Sequence, residues 1–416
     1  MHSAVPCPFC GLLCDDLRIE TQTGGTLRVA ANGCPRAVAG FERKPTDAAP
    51  RLRGKEATAT QAYRHIAARL GAARFPLFAG LGTDVDGLRS VMRLADRCGG
   101  VVDHMHGEVQ ARNLCVLQDS GWITTTLAEV KNRADFLLFV GSDGVYDHPR
   151  FFERIVWSAD SLFGLKPEQR TLVYLGADLD TKPGRSPAGL KPLVLQCPQE
   201  ACAEVILALR SLLAGRGLRA ATVGGVKTTR LVSLVEQMKK ARYGVILWSA
   251  AQLGFAHADL TVQAIVDLIR DLNQATRYAG VPLGGNDGGA SASSVCAWQS
   301  GFPLPTSFAS GVPEHERHRY SAARLIEQQA PDLLLWISAF RAVPPPVTKI
   351  PSIVLGTPDL RLAAEPEVFV PVATPGVDHA GRLVRCDSVL SLPLRALRGT
   401  SLPSVAQVLD AVEPLL

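Results

Sequence analysis

The chain predicts an α/β protein with two Rossmann-like parallel-sheet layers behind a small cysteine-rich segment. Three observations carry this. From Ala57 onward, short apolar runs alternate with segments of helical periodicity, and strands separated by helices join in parallel through right-handed crossovers. The apolar runs are too many for one compact sheet, so they divide into two layers. Residues 1–55 differ in kind, being dense in Cys, Gly, Pro and Arg.

Taken in order, Leu17-Arg18-Ile19-Glu20 alternates as a hairpin strand does, but residues 1–55 hold too little apolar material for a core of their own. A helix is predicted over Ala57–Leu70, where Ala, Tyr, Ile and Leu recur at helical spacing. Phe75–Gly82 reads as a buried strand ending in a glycine turn, and a helix follows over Asp86–Arg97. Further strands are expected at Ala134–Gly141, Thr171–Gly176, Pro192–Leu195, Tyr243–Ser249, Asp332–Ile337, Ile353–Gly356 and Val368–Val372. Helical segments lie between them at Glu200–Ala214, Leu231–Lys240 and Ala258–Asn273. The expected division is a cysteine-rich domain over 1–55, a discontinuous first α/β domain over 56–130 and 226–416, and an inserted second one over 131–225. No repeat at a solenoid period is present.

Composition bounds the function. The 416 residues leave room for several domains at roughly 100–200 residues each. Hydrophobic residues make up 47% and charged residues 20%, enough to bury substantial cores. The net charge of +5 comes from 44 basic against 39 acidic residues without a long basic run, so nucleic acid is not an expected partner. No apolar stretch approaches the roughly 18 residues that cross a bilayer, and the start Met-His-Ser-Ala-Val-Pro-Cys lacks a signal peptide's basic and apolar regions. No membrane partner is expected, and the expected location is the cytoplasm. Ten cysteines are too few for a disulfide scaffold of this length.

Four of those cysteines carry the strongest local signal. Cys7, Cys10, Cys14 and Cys34 are spaced C-x2-C-x3-C-x19-C, which lets three thiolates converge from one tight loop and a fourth join after a hairpin-length excursion. Four thiolates suit zinc or an iron–sulfur cluster, and otherwise these are small buried hydrophobes. The remaining six, Cys98, Cys115, Cys197, Cys202, Cys296 and Cys386, are scattered and read as core thiols.

Cys7–Leu17 (CPFCGLLCDDL) followed by Asn32–Phe41 (NGCPRAVAGF) resembles the amino terminus of the B-type subunit of formylmethanofuran dehydrogenase, of the molybdopterin oxidoreductase superfamily. Thr126–Asp135 (TLAEVKNRAD), His148-Pro149-Arg150 and Ala297–Pro303 (AWQSGFP) extend the resemblance along the chain. It implies a molybdopterin-oxidoreductase-like fold, with a [4Fe-4S] cluster on the first cysteines. It also implies a Cys-His-Gly element that ligates tungsten or molybdenum, and here the chain has Met105-His106-Gly107. A thioether is neutral and cannot supply the anionic thiolate a high-valent metal requires. Cys115 lacks the neighbouring His-Gly that a substitute ligand would have.

Other positions depart from the family in the same direction. Its members carry an arginine in a glycine-rich stretch, whereas Gly280–Gly289 here has neither Arg nor Lys, and none occurs between Arg277 and Arg317. The loop Gly141-Ser142-Asp143, with Asp147 beyond it, lies where pterin dinucleotide phosphates would approach; its glycines would admit a phosphate and its carboxylates would repel one. Met105 and His106 are then relic catalytic positions and Gly141, Ser142 and Asp143 a relic cofactor loop, with no tungstopterin or molybdopterin expected. His104 and His106, with Asp103 and Glu108, are alternatively a new metal site or a polar relic. His315-Glu-Arg-His318 lacks the i, i+4 spacing of a zincin helix and reads as a solvated segment.

The resemblance extends to the formyltransferase/hydrolase complex of methylotrophic bacteria. It implies a non-redox structural subunit in tetrahydromethanopterin- and methanofuran-linked formaldehyde oxidation, with amidohydrolase-like, formyltransferase and C-type subunits as partners. The alternative is an active tungsten or molybdenum formylmethanofuran dehydrogenase subunit with a [4Fe-4S] cluster. A free-standing zinc or iron–sulfur protein leaves the later segments unexplained. A mean hydropathy of +0.11 agrees with burial of a face in a hetero-oligomer.

Overall fold

Apolar runs buried on both sides become parallel strands in a computed structural model that describes residues 1–416. In chain order these are β1 (Pro76–Gly82), β2 (Val101–Val102), β3 (Phe136–Val140), β4 (Thr171–Leu175), β5 (Leu193–Leu195), β6 (Gly244–Ser249), β7 (Tyr278–Leu283), β8 (Leu333–Ser338), β9 (Ser352–Gly356) and β10 (Val368–Pro371). They fall into two compact units, one of Met1–Glu108 with Gly285–Leu416 and one of Val109–Gly284.

In the first unit the parallel strands run β2-β1-β8-β9-β10, flanked by short antiparallel pairs at both edges. Leu77 and Ala79 of β1 with Leu334 and Trp336 of β8 face one core, while Phe78, Leu81, Leu335 and Ile337 face the other. That alternation follows from the two-residue period of a strand up to Ala79; the left-handed Gly80 (φ 79°) and Leu81 (φ 57°) then break the period and turn Leu81 to the other face. Helices Ala59–Ala72, Val85–Cys98 and Val405–Val412 cover the second core with Ile66, Val91 and Val408 among the buried residues. Their starts are fixed locally. Thr58 and Gln61 form a capping box, and Asp84 accepts the Gly87 N–H, each such cap contributing about 1 kcal/mol.

The second unit is a five-stranded sheet in the order β5-β4-β3-β6-β7, parallel throughout. Leu138, Val173, Ile246 and Trp248 pack one face against helices Cys202–Leu213 and Ala258–Leu272. On the other face Phe139 stacks on Tyr174 at 5.0 Å and on Phe152 at 5.4 Å.

The two parallel layers agree with the sequence, but the domain limits differ. β6 hydrogen-bonds to β3, and β7 to β6, so the inserted unit runs from 109 to 284 instead of 131 to 225. Residues 51–56 form an antiparallel pair on the large sheet, so the cysteine-rich segment does not extend to residue 55 as a separate body. β7 was hidden because Gly280 and Pro282 read as loop; it lies at the sheet edge, where proline is tolerated. The amino-terminal segment also has more core than expected. Val5, Phe9, Leu17, Ile19, Leu27, Ala37 and Phe41 are all buried, with Phe9 edge-on to Phe41 at 5.1 Å. No helix is long and apolar enough to cross a membrane.

Candidate functional site

Open parallel sheets bind ligands beyond the carboxyl ends of their strands, where the strand order reverses. In the first unit that point lies between β1 and β8, since the chain leaves β1 for β2 on one side and returns in β8 on the other. Three loops meet there. Asp103–Gly107 is tied over β1 by the Asp103 N–H to Phe78 O (3.0 Å) and the Met105 N–H to Gly80 O (3.1 Å). Arg341 follows β8, and the glycine-rich Gly285–Gly288 leads into helix Gly289–Ser300. Gly288 has φ 76°, and a Cβ there would lie 2.7 Å from Thr83 O, so only glycine lets this loop lie flat on the turn after β1.

Asp287 sits at the centre of these loops with a left-handed backbone (φ 52°) and only 4% exposure. Its carboxylate accepts His106 Nε2 at 2.9 Å and the fork of Arg341, Nε to Oδ1 at 2.6 Å and Nη2 to Oδ2. Burial alone would raise the Asp287 carboxyl, but the hydrogen bonds from His106 and Arg341 outweigh it and hold it well below the usual carboxylate range. The backbone oxygen of Asp287 meets His104 Nε2 at 3.1 Å, while His104 Nδ1 accepts the His106 N–H at 3.1 Å. Nδ1 must therefore carry the lone pair and Nε2 the proton, which makes His104 a neutral donor. Burial, with His106 nearby, pushes it down to about 4. Asp103, fully enclosed, accepts the N–H groups of His104 and Ala322 at 2.8 Å each, yet burial still pushes it up to about 7.

Arg341 is the residue sequence reasoning missed. The glycine-rich stretch has no basic residue of its own, but a guanidinium reaches it from the loop after β8, three positions beyond the strand end. An arginine just past a buried apolar strand was visible in Ser338-Ala-Phe-Arg341; its pairing needed the strand order. Met105 is half-buried against the apolar cluster of Leu77 and Trp336, its methyl 3.2 Å from where a Gly82 Cβ would be. Asp103, His104, His106 and Glu108 are not arranged as a ligand group; His104 and His106 turn to Asp287 and Asp103 accepts backbone N–H groups.

The second unit reverses its strand order between β3 and β6. Ser142 Oγ donates to Gln252 Oε1 at 2.8 Å, and Asp143 Oδ1 accepts the N–H groups of Val145 (3.0 Å) and Tyr146 (2.9 Å). Asp147, buried, accepts the hydroxyl of Ser249 at the end of β6. Gly141 does not hold space open for a phosphate. It has φ 56°, and a Cβ there would come within 2.5 Å of Leu253 and 2.6 Å of Gln199.

Cys7, Cys10 and Cys14 are buried on one loop closed by the Cys7 N–H to Cys14 O at 2.8 Å, and Cys34 precedes helix Pro35–Phe41. Burial, then the neighbouring Cys10, Cys14 and Cys34, raise the Cys7 thiol well above its ordinary value, and burial pushes Cys10 to about 11. The four thiols thus lie near one another, and their soft donors suit zinc or a cluster, but the arrangement is not a closed ligand set. Among the other motifs, Thr126–Asp135 serves the fold. Thr126 caps helix Leu127–Arg133, Arg170 donates to the carbonyls of Val130 and Lys131, and Asp135 accepts the N–H groups of Arg242 and Tyr243. His315 pairs with Pro305 O while Glu316 accepts the His318 N–H, so those histidines act separately.

No protein-family model matches the chain. The chain shares its fold with acetylene hydratase from Pelobacter acetylenicus, with a TM-score of 0.66 at 10% identity, covering 100% of this chain and 69% of that one. More particularly, the chain is a homologue of the B-type subunits of formylmethanofuran dehydrogenase and of the formyltransferase/hydrolase complex. It is 28% identical over 406 residues to the B-type subunit of the tungsten-containing formylmethanofuran dehydrogenase 2 of Methanocaldococcus jannaschii, covering 92% of this chain and 91% of the relative. It is 28% identical over 338 residues to the B-type subunit of the formyltransferase/hydrolase complex of Methylorubrum extorquens, covering 80% and 87%. A chain in the crystal structure of that complex with methylofuran superposes with a TM-score of 0.75 at 25% identity, covering 88% of this chain and 98% of that one.

Proposed function

We propose that this chain is a non-redox structural subunit of a formyltransferase/hydrolase complex in methanofuran-linked one-carbon metabolism, and that the ancestral tungsten or molybdenum pterin site is lost. The observation that carries this reading is the Asp287 carboxylate. In the switch-point crevice of the first unit, where an anionic cofactor would need a free cation, a buried anion already engages His106 and Arg341. Met105 supplies a thioether where a thiolate would be needed. These residues do not fit a tungsten or molybdenum pterin. The similarity to both kinds of B-type subunit, and the near-complete overlap with a chain of the formyltransferase/hydrolase complex, support the assembly part. Amidohydrolase-like, formyltransferase and C-type subunits are the expected partners, with formyl chemistry carried by them.

Purification from the native source, with identification of the co-purifying chains and analysis of W, Mo, Zn, Fe and pterin, tests the proposal. Formyltransferase and hydrolase partners without W, Mo or pterin are the expected result. Stoichiometric W or Mo with extractable pterin would instead establish an active dehydrogenase subunit. The same analysis addresses the cysteines: zinc or iron that disappears in Cys10→Ala would assign Cys7, Cys10, Cys14 and Cys34 a metal-holding role.

A further inference from the structure

The second unit holds a thiol pair that its switch-point crevice does not employ. Cys197 follows β5, and Cys202 opens helix Cys202–Leu213; a tight turn over Gln199–Ala201, with the Ala201 N–H on Pro198 O at 3.0 Å, folds one back onto the other. Their sulfurs are 3.6 Å apart. We propose that Cys197 and Cys202 form a redox-active dithiol, a modification site at which hydrogen peroxide closes a disulfide.

Geometry is the first support. A disulfide needs its sulfurs at about 2.05 Å, and the remaining gap lies within the swing of two side chains about their Cα–Cβ bonds. Access is the second. Both residues are buried, Cys202 fully and Cys197 with 3% exposure, so Cys197 is the thiol nearer solvent and a bulky disulfide reagent is excluded. The third is the contact itself: either thiol can donate to the other, and the shared hydrogen bond draws the Cys197 thiol down and the Cys202 thiol up. The more ionised sulfur is therefore also the more accessible one, as an attacking thiol requires.

The chemistry balances with peroxide as the sole co-reactant. The Cys197 thiolate attacks one peroxide oxygen; an S–O bond forms, the O–O bond breaks, and the departing hydroxide takes up the proton Cys197 released. The Cys202 sulfur then attacks the sulfenic sulfur; an S–S bond forms, the S–O bond breaks, and the second hydroxide leaves as water with the Cys202 proton. Two thiols lose two electrons and one peroxide becomes two waters.

The test uses the full chain, reduced and then exposed to graded hydrogen peroxide, quenched with iodoacetamide and digested with trypsin. No Lys or Arg separates Cys197 from Cys202, so both fall in one peptide. That peptide is expected to lose two hydrogens and escape alkylation, reversibly with dithiothreitol, at doses that leave Cys98, Cys115 and Cys386 alkylatable. In Cys202→Ser the reaction should stop at a sulfenic acid on Cys197 that dimedone labels. A doubly alkylated peptide at doses that oxidise the other cysteines would overturn the proposal, as would dimedone on Cys202 in Cys197→Ser with none on Cys197 in Cys202→Ser. The wild-type measurement stands even if a variant fails to fold.

Discussion

The two sheets reverse strand order at equivalent points and fill the resulting crevices with different chemistry. Between β1 and β8 a buried carboxylate is met by a guanidinium and an imidazole, with a second, neutral imidazole on its backbone. Between β3 and β6 the carboxylates of Asp143 and Asp147 are met by backbone N–H groups and a hydroxyl, and Ser142 by an amide. Both crevices close on their own side chains. The first rests on the Arg341 guanidinium and encloses His104 and Asp103, whose burial shifts oppose each other, so it should respond to loss of that cation and to upset of that balance; in the second, Val145, Tyr146 and Ser249 meet the carboxylates as neutral donors, and loss of one of these should cost less.

Removal of Arg341 should produce the largest effect. Arg341→Ala leaves Asp287 buried with His106 as its remaining side-chain partner, and stranding a buried charge costs about 3 kcal/mol. In a unit of this size that lowers its melting temperature by roughly 6–12 °C. Hydrogen exchange should locate the loss in the first unit, around β1 and β8, with the second unit unchanged. Equal loosening of both units would break the contrast.

The pH response comes next, and its sign differs between neighbours. His104 is pushed down to about 4, so its contribution is present above its unfolded value near 6.5 and is lost as pH falls towards 4. Asp103 is pushed up to about 7, so its contribution is present below its unfolded value near 4 and is lost as pH rises towards 7. The two oppose each other between about pH 4 and 6.5, leaving the wild-type crevice flat there. Asp287, held low, adds stability above about pH 4 that is lost on further acidification. His104→Gln removes one side of the balance: its melting temperature relative to wild type should rise steadily as pH falls from 6.5 to 4.5. A constant difference would show that His104 does not titrate as its burial requires.

A smaller effect is expected in the other crevice. Ser249→Ala removes the hydroxyl that Asp147 accepts, for about 1–2 kcal/mol. Thermal melts of the variant against wild type should show that loss. A loss matching that of Arg341→Ala would mean the second crevice is as highly strained by charge as the first.

Much of this architecture was legible because strand burial leaves a plain trace. β1, β3, β4, β6, β8, β9 and β10 are apolar runs bounded by turn residues. β7 was not legible, since Gly280 and Pro282 signal a loop and only an edge position accommodates them. The cysteine loop was found from local spacing, and Met105 and His106 from the family resemblance. Arg341 was not, because 54 residues separate it from Asp287 and only the order of β1 and β8 brings them together. Asp143 and Asp147 were visible as charges near a strand end, but their engagement by Val145, Tyr146 and Ser249 depends on backbone direction, which composition does not carry.

The smallest expected change is also the sharpest test of how the first crevice differs from a metal site. Met105→Cys places a thiol where the sequence resemblance implies a ligand cysteine, with His106 and Gly107 already beside it. If that thiol were all that is missing, the variant would take up tungsten or molybdenum. Two features oppose this. Asp287 still engages His106 and Arg341, so neither is free to serve a cofactor. Gly288 still lies against Thr83, which holds the glycine-rich loop down on the turn after β1. Met105→Cys should therefore cost about 1 kcal/mol through the loss of two carbon atoms from a half-buried side chain and change nothing else. Formate or formylmethanofuran oxidation with an artificial electron acceptor, together with W and Mo analysis after growth with both metals, measures the outcome. Activity or bound metal in this single variant would show that the crevice remains able to open for a cofactor.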